Sequence, residues 1–189
     1  MEHLSERVSI DRRDGRLSVV ISARLPKGKE ALLVAWFLAW LLVGGYVIYE
    51  RAQLPEGDPT RQFILGFLAF WLYFAVRVGR AVLWRLKGLE LWRLKEGSLA
   101  IKDSIWGYGK AATYFVENIK QLGSLNVDRS SLKYQLSDSF WTIGGERLGF
   151  EHLGRKVVFG KGLNDEEVRR LLFVLQDELK KARKQEAAQ

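Results

Sequence analysis

The stretch Ala31 to Tyr49, ALLVAWFLAWLLVGGYVIY, runs 19 residues without a charge. At about 1.5 Å per residue a helix of that length comes close to the ~30 Å hydrocarbon thickness of a bilayer. The reading is a membrane span. A signal peptide fits poorly, because the run begins thirty residues in, exceeds the usual apolar region and lacks a small-residue cleavage site. A loop from Glu50 to Gln62 carries Pro55, Gly57 and Pro59, which stop a continuous helix and favour reversal. A second apolar run follows from Phe63 to Val76 and continues through Arg77 and Arg80 to Trp84. It is long enough to cross if the two arginines, three apart on one helical face, lie near the headgroups and extend their guanidinium groups outward. The alternative places them toward a partner or a water-filled cleft within the membrane.

Basic residues give the orientation. Residues 16–30 hold four Lys or Arg, the connecting loop two (Arg51, Arg61), and residues 77–95 six. The positive-inside rule puts both termini in the cytoplasm and the short loop outside. Of the net charge of +8, half comes from residues 77–87, which hold Arg77, Arg80, Arg85 and Lys87 and no acid. Beside a membrane that charge meets anionic lipid at ~1 kcal/mol per basic residue. Nucleic acid is not needed to explain it, and no dense basic face interleaved with aromatics stands elsewhere. Arg77, Arg80, Trp84, Arg85 and Lys87 are therefore the expected membrane-interface residues.

The composition closes off other classes. A chain that is 48% hydrophobic with seven Trp is not low-complexity disorder. With no Cys and only His3 and His152, disulfide scaffolds, thiol nucleophiles and Cys-bearing zinc sites are excluded. His3 lies near a terminus and His152 in an expected hairpin turn, so a catalytic triad is not expected. No catalytic residue, metal site or cofactor is assigned.

Three regions follow: an N-terminal segment, 1–30; a two-helix hairpin, 31–87, with spans at about 31–49 and 63–84; and a cytoplasmic domain, 88–189. The last has no Pro and shows short alternating runs. Leu89 to Leu94 turns through Lys95-Glu96-Gly97 into Leu99 and Ile101. Ala111 to Val116 follows the glycine turn Gly107-Tyr108-Gly109, and then come Ile119 to Val127 and the alternating Leu132, Tyr134 and Leu136. A last hairpin pairs Leu148 and Phe150 with Val157 and Phe159, for about seven strands in all. Asp165 to Lys184 is a helix with Asn164 as cap, Glu167 three later, and an apolar stripe of Val168, Leu171, Leu172, Leu175 and Leu179. At the other end, Val8 and Ile10 face Leu17, Val19 and Ile21 across Asp14-Gly15 as a small hairpin, which either joins the sheet or lies on the membrane.

Motifs that suggest phosphate or metal chemistry have plainer explanations. Gly107-Tyr108-Gly109-Lys110 lacks P-loop spacing and reads as a turn. Gly160-Lys161-Gly162 is a strand-to-helix corner whose helix N-terminus attracts an anion at most weakly. Asp165, Glu166 and Glu167 suit a helix N-terminus without a cation. Trp36, Trp40, Trp71 and Trp84 suit lipid contact or interfacial belts, and Phe140 and Trp141 pack on the domain. If the aromatics instead share a hairpin face with Gly44, Gly45 and Gly66, they offer a surface to another membrane protein.

Strands closed by one C-terminal helix, after a helical hairpin, make the chain similar to bacterial membrane proteins that carry a two-helix hairpin followed by a pleckstrin-homology-like domain. The residues carrying the resemblance are Gly88 to Leu91, Lys95 to Leu99, Tyr114 to Leu122 and Val157 to Leu163. It implies a mainly-β barrel with a C-terminal helix, held at the bacterial cytoplasmic membrane as a non-enzymatic scaffold that binds other proteins. It also makes Lys102 and Lys110 candidates for lipid-headgroup contact. The second functional reading is an accessory or assembly subunit of a larger membrane complex. The expected partners are the lipid bilayer and other membrane proteins or a second copy.

Overall fold

The computed structural model describes residues 2–13, 15–125 and 142–186. Helix α1 (Lys27–Gln53, 27 residues) and helix α2 (Pro59–Lys87, 29 residues) form an antiparallel hairpin. At ~1.5 Å per residue they are about 40 and 43 Å long. Both are long and apolar enough to cross a membrane, and only 11% of each apolar window is buried. The Asp58 side chain caps α2 by accepting the Thr60 N–H at 2.8 Å, with Pro59 preset for the first helical position.

The strands β1 (Glu2–His3), β2 (Val8–Arg13), β3 (Arg16–Ser22), β4 (Gly88–Lys95), β5 (Ser98–Ile105) and β6 (Ala111–Phe115) form one antiparallel sheet in that order. The N-terminal hairpin thus joins the sheet: β3 pairs with β4 from Leu17↔Leu94 to Ser22↔Leu89. The β domain therefore takes in residues on both sides of the helical hairpin, and its N-terminal strands are not a separate segment. A 3-10 turn (Val116–Asn118) leads to the second sheet, β7 (Ile119–Ser124), β8 (Glu146–His152) and β9 (Arg155–Lys161). Leu148 pairs with Phe159 and Phe150 with Val157, the register that the alternation implies. The expected strand around Leu132, Tyr134 and Leu136, the extension of β7 to Val127, and the packing of Phe140 and Trp141 lie outside the described residues.

One core joins the two sheets. Val8, Ile10, Leu17, Val19, Ile21, Trp92, Leu94 and Leu99 of the first sheet meet Ile119, Leu148, Phe150 and Phe159 of the second. Trp92 stands edge-on to Phe159 at 4.9 Å, and Tyr114 to Phe150 at 5.1 Å. Helix α3 (Asp165–Glu186) closes the core with Val168, Leu171, Leu175 and Leu179, and Leu172 packs at its margin. Its first turn is a reciprocal cap: Asn164 Oδ1 accepts the Glu167 N–H at 2.8 Å, and Glu167 Oε2 accepts the Asn164 N–H at 2.9 Å. Asn164→Ala is expected to lower stability by about 1 kcal/mol in thermal unfolding. No loss would mean that the α3 N-terminus is held by its core contacts alone.

Candidate functional site

The strand β4 follows α2 with no intervening residue, and its alternation sets the chemistry at that junction. Gly88, Glu90, Trp92 and Leu94 face inward while Leu89, Leu91, Arg93 and Lys95 face away. A glutamate is thereby carried into the core, where Glu90 is 1% exposed. Its Oε1 accepts Trp92 Nε1–H at 2.8 Å and the Gly160 N–H at 2.6 Å, and its Oε2 accepts the Lys161 N–H at 2.9 Å. The corner Gly160-Lys161-Gly162 does attract an anion, and that anion is the chain's own carboxylate.

Lys161 extends from the same corner to Asp103 Oδ2 at 2.6 Å and lies 5.7 Å from the Trp84 ring centroid. Burial pulls its pKa down, but the Glu90 charge and the Asp103 hydrogen bond outweigh that and hold it above the ordinary lysine value. Trp84 and Arg85, expected at the headgroups, are 3% and 6% exposed and turn into this junction. Arg85 Nη2 donates to the Thr142 carbonyl at 3.4 Å. The reason is positional: the last turns of α2 pack against the domain, so two of the five expected interface residues anchor helix to sheet. Arg7 adds a tie from the N-terminal side, donating to the Gly162 carbonyl at 2.8 Å.

The other three, Arg77, Arg80 and Lys87, remain exposed. Arg77 donates to the Tyr73 hydroxyl at 3.1 Å and lies 5.9 Å from that ring's centroid, so it turns toward the loop end of the hairpin. Tyr73, Arg77 and Arg80 line a shallow cavity of about 390 Å³ with Thr142 and Ile143. Lys102 Nζ donates to the Gly107 carbonyl at 3.0 Å and so braces the β5–β6 turn, while Lys110 is exposed just beyond it. The turn expected at Gly107-Tyr108-Gly109 forms one residue earlier, at Trp106-Gly107, closed by Ile105 and Tyr108. A side chain at Gly109 would stand 1.9 Å from the Asp103 carbonyl oxygen.

A larger open groove of about 940 Å³ runs between β7 and α3, lined by Glu117, Lys120, Gln176 and Arg183 among others. Arg183 is already committed there, donating to the Ile119 carbonyl at 2.5 Å. Ser5 Oγ donates to Glu167 Oε1 at 2.7 Å, but that hydroxyl also accepts the Val8 N–H and the carboxylate caps α3. The pair is a brace, not an activated nucleophile. Among the described residues no group of three or more His, Asp or Glu is placed to hold a metal ion. Asp165 and Glu166 are paired with Arg147 and Arg170. His152 stacks edge-on to Tyr114 at 5.2 Å at the end of β8.

No protein family, characterised protein or solved structure matches this chain. The buried Glu90 was legible only as an inward-facing position in the alternation of β4, because its two backbone partners lie 70 and 71 residues later.

Proposed function

We propose that this chain is a non-enzymatic integral membrane protein whose hairpin crosses the bacterial cytoplasmic membrane and holds a pleckstrin-homology-like β domain at the cytoplasmic surface to bind other proteins. The observation that carries the reading is the junction. A helix long and apolar enough to span runs straight into the central strand β4, and Trp84 and Arg85 at its end are buried against the domain, beside Lys161 and the Thr142 carbonyl. Lipid rather than protein suits the outer faces of the hairpin, where Leu42, Tyr46, Phe63, Phe70 and Leu72 are all more than half exposed. The basic residues at the sheet end of the hairpin favour a cytoplasmic domain. The two sheets closed by α3 support the pleckstrin-homology-like description.

The absence of Cys makes the topology directly testable. Glu56→Cys in the hairpin loop is expected to react with an impermeant maleimide in intact cells, and Lys156→Cys on β9 only after permeabilisation. Labelling of both sites in intact cells, or only of Lys156→Cys, would overturn the topology.

Gly45 and Gly66 favour the second reading, an accessory subunit of a larger membrane complex. Both lie on the hairpin with nothing within 4 Å, which leaves room for another helix to approach closely. Purification in mild detergent with size analysis separates the two: a stoichiometric complex supports the subunit, a bare monomer or homodimer the independent surface module.

A further inference from the structure

We propose that the β5–β6 turn, Trp106-Gly107-Tyr108, is a second membrane contact, seated in the headgroup region of the bilayer that the hairpin crosses. The inference rests on the membrane reading above and adds a site to it. Gly88, the first residue after α2, pairs with Ile105, the last residue before the turn. That register places the turn at the edge of the sheet where both helices enter. It is a two-residue turn, closed by Ile105 N–H to the Tyr108 carbonyl at 2.9 Å and Tyr108 N–H to the Ile105 carbonyl at 3.0 Å.

Trp106 (φ +52°) and Gly107 (φ +85°) both take left-handed backbone, the geometry for which Asn-Gly is the favoured pair. A tryptophan there contributes nothing to the turn and buries little, since Trp106 is 62% and Tyr108 84% exposed. Lys102 donates to the Gly107 carbonyl within the turn, Lys110 follows two residues after Tyr108, and Lys87 precedes Gly88, the residue paired with Ile105. Amphipathic rings flanked by lysines are what a bilayer interface takes up, the rings at headgroup depth and the ammonium groups at the phosphates. A turn of the same kind in the second sheet, Leu153-Gly154 with φ +49° and +75°, follows His152, which meets Tyr114 at the end of the domain away from the helices, and serves as a built-in control.

The full-length protein, in three single-cysteine forms carrying an environment-sensitive fluorophore, is reconstituted into phosphatidylcholine–phosphatidylglycerol vesicles with nitroxide-labelled acyl chains. The positions are Tyr108→Cys at the turn, Leu153→Cys at the far edge and Leu42→Cys in the hairpin. Leu42→Cys and Tyr108→Cys are expected to be quenched several-fold more than Leu153→Cys. Quenching at 42 but no more at 108 than at 153 overturns the turn contact alone, whereas no quenching at 42 overturns the membrane reading beneath it. Adding Trp106→Asn, which suits the turn better, is expected to reduce quenching at 108 severalfold while thermal stability in detergent holds or rises. Unchanged quenching would exclude Trp106 as an anchor and overturn the proposal as stated.

Discussion

Glu90→Leu is expected to lower the stability of the domain by about 4 kcal/mol, because it strips a buried acceptor from three N–H donors at once. The carboxylate gathers three N–H donors, two of them the backbone amides of Gly160 and Lys161 on β9. Leucine would leave these amides buried and unpaired at ~1–3 kcal/mol each, and no compensating substitution can remove a backbone donor. Lys161 would also lose the negative charge that, with Asp103, holds its ammonium protonated in a half-buried position. In a chain of this size the loss corresponds to a fall of about 10 °C in the melting midpoint. Glu90→Gln keeps one acceptor oxygen and turns an amide group toward a donor, so an intermediate fall is expected. Thermal unfolding in detergent checks both; a fall below about 1 kcal/mol for the leucine variant would show that the sheets are joined without this carboxylate.

The second large effect lies in the hairpin. A Cβ on Gly44 would stand 2.1 Å from Cε2 and Cζ2 of Trp71, whose Nε1–H is fixed on the Trp40 carbonyl at 3.0 Å. Gly44→Ala therefore forces the indole off its hydrogen bond or the helices apart. The expected cost is about 1–3 kcal/mol, typical of inserting a methyl group into a filled contact. Gly45→Ala and Gly66→Ala meet open space and are expected to be neutral, or to gain slightly from helix propensity. Combining Gly44→Ala with Trp71→Ala should cost less than the sum of the two, with a coupling of order 1 kcal/mol. Additivity would mean that the two residues do not touch.

Much of this architecture was legible because it is local. The uncharged run at Ala31 to Tyr49, the alternation of β4, the Leu148–Phe159 hairpin and the Asn164–Glu167 cap each declare themselves within a few residues. Long-range contacts do not. The alternation of Val8 to Ile21 suggested strands, but their place beside β4 depends on a pairing across the whole helical hairpin. Trp84 and Arg85 were misplaced for a similar reason: a tryptophan and an arginine at the end of an apolar helix resemble an interfacial belt, and only the fold of the following domain turns them inward. Glu90 stood in a readable inward register, yet the amides that satisfy it are at the other end of the domain. Gly44 reads, with Gly45 and Gly66, as part of a face for another membrane protein, and its actual neighbour is Trp71 within the same hairpin.

The direct passage from α2 into β4 has a mechanical consequence. Gly88 closes the helix with its N–H on the Trp84 carbonyl and at once takes its place in the ladder, while its own carbonyl accepts the Ala23 N–H at 3.0 Å on the approach to α1. With no residue between α2 and β4 and only four between β3 and α1, helix and sheet move together as a lever. The eight residues of β4 reach about 26 Å from the pivot, so a helix tilt of about 10° swings the Lys95–Gly97 end sideways by about 4–5 Å. In the proposed membrane setting, any change in hairpin tilt becomes displacement of the far end of the domain, and a load applied there returns to the hairpin as torque.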